Sequence, residues 1–174
     1  MYVGHVGAAL AARRVRATIA LWVLLIATYT PDWVDTGLCL AGRYDSDGVL
    51  SHSVPAVMLF AGLGLLAYAI FTRDWTGGLV VAGVIISHMV LDWLTGYKPT
   101  WPGGPMIGLR LYERPILDFL AESVVILVGA LLYARTLPPR KTVWTGFASM
   151  AGVLLILQLS IDVAHLMMKS LPKC

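Results

Sequence analysis

Apolar runs of membrane length alternate with short polar links along this chain. Five of them stand out, at about 17–30, 54–71, 78–97, 119–134 and 143–168. A helix crosses the hydrocarbon core with about 20 apolar residues, in a range of about 17–25. Segments two, three and five meet that length, and segment four does so with a residue or two borrowed from its ends. Segment one is short, so it either sits in thinned bilayer or extends backward past Arg13, Arg14 and Arg16. The pattern predicts an all-α integral membrane bundle of about five transmembrane helices, the first one short. It forms a single membrane-embedded domain over residues 1–174, with no internal repeat or low-complexity tract.

The links set the two ends of that bundle apart. Five alternating spans place Arg13, Arg14, Arg16, Arg73, Arg135, Arg140 and Lys141 at one end with a single acid, Asp74. The other end receives six Lys/Arg and nine of the ten acids. The slight basic excess makes the first end cytoplasmic by the positive-inside rule. The acid-rich end then faces the extracytoplasmic side of a cell or inner membrane.

Composition agrees with the pattern. Charged residues make up 13% of the chain, against about 25% in a soluble domain, and the mean hydropathy is +0.77. A dispersed net charge of +3 argues against nucleic acid. Cys39 and Cys174 form neither a CxxC pair nor a zinc-finger spacing. The segment after Arg16 runs into TPDWVD without a small-residue cleavage site, so it reads as retained rather than as a signal peptide.

The acid-rich end also collects groups that can do chemistry. His88 and Asp92 stand i, i+4 in GVIISHMVLDWLTGYKPTWPGGP, on one face of a helix. Ionisable groups at that depth cost several kcal/mol unless they are paired or hydrated. Asp118 and Glu122 repeat the i, i+4 spacing, His52 lies at a helix mouth in SHS, and PDWVD presents Asp32 and Asp35. A divalent cation would relieve the repulsion among these carboxylates, and mixed His/carboxylate ligation suits Zn first, with Mn or Fe as alternatives. The competing reading is a water-filled cation pathway. Asp162 and His165, with Gln158 a turn earlier, read either as an interhelical polar cluster or as groups orienting the metal histidines. Arg43, Lys98, Arg110 and Arg114, with Tyr97, Trp101 and Tyr112, suit a phosphate headgroup at the interface, or ordinary interfacial anchoring.

The order GHVGAAL, PDWVD, SHS and HMVLDWLTG followed by a WP turn resembles the LexA-regulated inner-membrane metal-dependent hydrolase family, which is distantly similar to zinc-dependent phospholipase C. The resemblance covers about residues 3–122 and implies metal ligation by His5, Asp32 or Asp35, His52, His88 and Asp92, with Glu122 as a later acid. It departs at Asp47-Gly48-Val49, where many members have His-Arg-Gly. A straight first helix would leave His5 at the wrong end. Either segment one does not cross fully, or the chain folds back near Arg13–Arg16, or His5 is no ligand.

Together these readings give the expected site. Its ligands are drawn from His52, His88, Asp92, Asp35, Asp118, Glu122 and His5, and its catalytic carboxylates from Asp32, Asp35 and Glu122. The expected function is membrane-bound, metal-dependent hydrolysis of a phosphoester or lipid-derived ester by activated water. The alternative is a cation-binding channel or transporter-like protein without catalysis.

Overall fold

In the computed structural model, which describes residues 2–43 and 48–167, the chain is a helical bundle. The helices are α1 (Gly4–Val15), α2 (Leu21–Thr28), α3 (Thr30–Leu40), α4 (Val49–His52), α5 (Val54–Thr72), α6 (Trp75–Thr95), α7 (Pro115–Ala134) and α8 (Lys141–Met167). Between α6 and α7 a two-stranded hairpin, β1 (Lys98–Pro99) and β2 (Met106–Ile107), pairs Lys98 with Ile107. Asp47 and Cys174 lie outside the described residues.

Four helices, α5 to α8, have 19, 21, 20 and 27 residues and are apolar enough to cross a membrane. At about 1.5 Å per residue they match or exceed a hydrocarbon core of about 30 Å. Their ends follow local chemistry. Ser53 caps α5 by accepting the Ala56 N–H, with proline in the first turn, and Asp74 caps α6 by accepting the Gly77 N–H. Leu59, Leu63, Ile70, Val124, Val128, Ile156 and Leu157 are exposed and form the lipid-facing surface. The buried side of α6 is a stripe at helical spacing, Val81, Ile85, His88, Asp92 and Thr95. The polar pair is thus the lower end of the core-facing stripe.

The first apolar segment does not become a crossing helix. Its residues supply the eight-residue α2 and the start of α3, and α2 returns alongside α1. At the bend Arg16 Nη2 meets Asp74 Oδ2 at 3.0 Å, while at the other end His5 Nε2 lies 3.3 Å from Asp92 Oδ1. Helix α1 therefore runs antiparallel to α6, and the chain folds back after Arg13–Arg16. This brings His5 to the acid-rich end.

Helix α1 sits between the two halves of the bundle. Ala9 and Ala12 join a core with Val57, Ala61, Val81 and Ile85, and Leu10 joins another with Ala130 and Ala151. Small residues make this possible. A Cβ on Gly7 would strike the backbone of Val125, and one on Gly129 would strike the backbone of Gly7. The two helices touch main chain to main chain, as small-residue crossings in membranes do.

Candidate metal centre

Four elements meet at the acid-rich end. Helix α1 brings His5, α3 brings Asp32, α4 brings His52, and α6 brings His88 and Asp92. His5, His52 and His88 are buried, as is Asp92, whereas the Asp32 side chain is 42% exposed. His52 Nε2 lies 3.2 Å from Asp32 Oδ1 and 3.4 Å from Asp92 Oδ2. His88 Nε2 lies 3.6 Å and 3.5 Å from the same two oxygens. Two overlapping groups have metal-binding spacing, His5–His88–Asp92 and Asp32–His52–His88.

The hydrogen bonds behind the histidines decide which nitrogen faces inward. His88 Nδ1 is 2.7 Å from the Thr28 carbonyl oxygen, which can only accept, so Nδ1 carries the proton. Ser51 donates its hydroxyl to Asp35 Oδ1 at 3.2 Å and so offers a lone pair to His52 Nδ1 at 2.7 Å. In both neutral rings Nε2 then points a lone pair at carboxylate oxygens. That arrangement repels itself unless a proton or a cation sits between the groups. His88 Nε2 is buried without a hydrogen-bond partner. Ligands about 2.0–2.1 Å from a tetrahedral zinc lie roughly 3.3–3.4 Å from one another. The four histidine–carboxylate separations bracket that value, and each of the two three-residue groups is spaced to hold a small cation.

Asp32 is the carboxylate that faces outward. Beside it opens a cleft of about 480 Å³ whose lining includes Tyr29, Asp32, His52, Asp92, Lys98 and Tyr112. The β1–β2 hairpin brings Lys98 Nζ to 3.6 Å from Asp92 Oδ2. Backbone bonds seat this loop. Val54 N–H donates to the Thr100 carbonyl, and Leu109 and Arg110 donate to the Trp93 and Gly96 carbonyls.

Several expected residues lie elsewhere. Asp35 stands behind His52, joined to it through Ser51, so the facing carboxylate of PDWVD is Asp32. Glu122 turns both oxygens to the main chain of the α1 end, accepting the Tyr2 and Gly4 N–H groups at 2.8 Å each. Glu122 belongs to neither metal-spaced group. Asp118 is buried beside Asp162 and His165 around a void of about 10 Å³, outside both metal-spaced groups. Of the four expected headgroup cations, Lys98 alone lines the cleft. Arg43 and Arg114 are exposed, and the Arg110 guanidinium lies 3.9 Å above the Tyr97 ring. Sequence reasoning missed Thr28 and Ser51, whose roles depend on a backbone carbonyl and a hydroxyl that no ligand pattern marks.

The model of the YdjM inner membrane protein family matches residues 1–165. The chain belongs to that family. Membership and the four apolar helices make it an inner-membrane protein. The matched region contains His5, Asp32, His52, His88 and Asp92, so the whole histidine–carboxylate cluster lies within the family's own extent. No curated protein and no solved structure matches the chain.

Proposed function

We propose that this member of the YdjM inner membrane protein family is a metal-dependent hydrolase acting on a phosphoester or a lipid-derived ester. The observation that carries the reading is the convergence of His52 Nε2 and His88 Nε2 on Asp32 and Asp92 at 3.2–3.6 Å. Asp32, His52, His88 and Asp92 would hold one divalent transition metal, zinc first by ligand chemistry, with His5 reaching it from α1. When bound, such an ion lowers the pKa of water and polarises a substrate oxygen.

The chain's own groups supply the rest. Asp32, far more solvent-accessible than Asp92, is placed to accept a proton from water in the cleft. Lys98 offers the cleft a cation for an anionic group, and Tyr29 and Tyr112 give its walls the amphipathic character of a headgroup site. A lipid would enter laterally from the membrane, and the site would face the extracytoplasmic side.

The test is elemental analysis of the purified chain, followed by a screen on phosphodiester and lipid ester substrates. Asp92→Asn keeps a hydrogen bond, and as helix glue alone it would cost under about 1 kcal/mol. The expected result is near-stoichiometric Zn, Mn or Fe in the parent and its loss in Asp92→Asn and His88→Ala with helicity kept. Full occupancy in both variants would refute this ligand set. An ion retained with no turnover on any ester would favour the non-catalytic cation-binding reading.

A further inference from the structure

His5 is held differently from the other two histidines. His88 and His52 are oriented through Nδ1, by the Thr28 carbonyl and by Ser51. His5 Nδ1 is buried with no hydrogen-bond partner. Its ring stacks against His88, with centroids 3.8 Å apart, and meets Tyr29 edge-on at 5.8 Å. Aromatic contacts of this kind leave rotation and sliding poorly fixed, so the position of the imidazole depends on where its backbone is held.

That backbone is held by two other helices. A helix begins with N–H groups that its own turns cannot satisfy, and Val3, at the cap position of α1, offers no side-chain acceptor. Instead three successive N–H groups donate to buried side chains of α7 and α8. Tyr2 and Gly4 donate to the two oxygens of Glu122 at 2.8 Å each, and Val3 donates to Gln158 Oε1 at 3.0 Å. Glu122 and Gln158 are both 0% exposed, so water does not compete for these bonds. Gln158 Nε2 in turn donates to Asp162 Oδ1 at 2.8 Å, which fixes which end of the amide faces Val3. A negative carboxylate at the positive end of the α1 dipole adds to the hold. On the far side of the histidine, Thr28 donates its hydroxyl to the His5 carbonyl at 3.1 Å.

We infer that Glu122 and Gln158 are positioning residues that clamp the first turn of α1 by its main chain and thereby aim His5 at the centre formed by Asp92 and His88. The inference rests on the metal reading of that centre. It gives α8 a part in the site, and Asp162 acts there only through Gln158.

The experiment is a zinc titration of the detergent-purified full chain against a chelator, for the parent, His5→Ala, Glu122→Gln, Gln158→Leu, and each of the last two combined with His5→Ala. Glu122→Gln keeps the shape but turns an N–H₂ toward a backbone N–H. Loss of an outer partner of a metal ligand typically weakens affinity about 10–100-fold, so each single variant is expected to bind zinc at least about tenfold more weakly. In the His5→Ala background the same changes are expected to do nothing further. Parent-like affinity in Glu122→Gln and Gln158→Leu overturns the inference while leaving the metal centre standing. Equal weakening with and without His5 also overturns it, because the clamp would then act on the bundle as a whole. A parent that takes up no zinc removes the metal reading and this inference together. Should Glu122→Gln fail to fold, Gln158→Leu and its combination with His5→Ala decide alone.

Discussion

At the scale of single residues, the site depends on proton placement as much as on proximity. His52 and His88 can present lone pairs together because each Nδ1 proton is already committed, one to Ser51 and one to the Thr28 carbonyl. Ser51→Ala removes the acceptor that fixes the His52 tautomer and also strands Asp35. The expected outcome is a fall in zinc affinity of about 10–100-fold, the usual cost of losing an outer-shell partner. Chelator competition reads it, and an unchanged affinity would mean that Asp32 alone orients His52. The sequence made the His88–Asp92 pair legible because i, i+4 spacing fixes a common helix face. It could not choose between Asp32 and Asp35, which stand three apart and share a face of α3. That choice depends on how α3 lies against α4. Nor could it show Glu122 spent on backbone amides, since a main-chain partner leaves no mark in a pattern of side chains.

At the scale of elements, the four long spans were readable to within a few residues because length and hydropathy alone define them. Helix α1 was not. Its run GHVGAALAA is too short to cross and only weakly apolar, yet its small residues are what a helix needs to enter a bundle core. The Gly7–Gly129 crossing tests this. Gly129→Leu forces a side chain into the α1 backbone and should eject or tilt the helix. Overpacking of this kind costs about 1–3 kcal/mol or more, and zinc binding should weaken with it as His5 withdraws. A variant with parental stability and affinity would show that α1 need not dock so closely. The other end of α1 gives a pH prediction. The Asp74 carboxyl is held below its ordinary pKa, chiefly by the Gly77 N–H and then by Arg16. A lowered folded pKa means stabilisation that is present above the ordinary aspartate pKa and lost as pH falls through the folded value. Asp74→Asn can still cap α6 but cannot pair with Arg16. The variant should therefore melt below the parent at neutral pH, and the gap should close in acid below about pH 4. A gap that stays constant with pH would assign the loss to capping rather than charge.

At the scale of the whole molecule, the fold-back of α2 onto α1 alters the path of the chain without altering which charges share an end. With α1 and α2 folded together and four spans following, the bend after Arg16, the α5–α6 turn and the α7–α8 turn still lie at one end, and seven of the eight acids among the described residues at the other. The two long loops of the acid-rich end are joined directly, Val54 N–H to the Thr100 carbonyl at 2.8 Å, so they must lie on one side of the membrane. Orientation then turns on seven Lys/Arg against four among the described residues, the cations being the charges that count. Two of the four at the site end are already engaged, Lys98 with Asp92 and Arg110 with Tyr97. The expected outcome is that the basic end is cytoplasmic. Single cysteines at Leu109, in the site-end loop, and at Leu137, in the α7–α8 turn, would test it in a chain with Cys39 and Cys174 replaced by serine. Both positions are exposed. A membrane-impermeant thiol reagent applied to intact spheroplasts should label Leu109→Cys and spare Leu137→Cys until the membrane is opened. The reverse pattern would turn the site toward the cytoplasm and remove the external substrate from the proposal. Labelling of both from outside would break the four-span bundle itself, because an odd number of crossings between α6 and α8 is what puts those two positions on opposite sides.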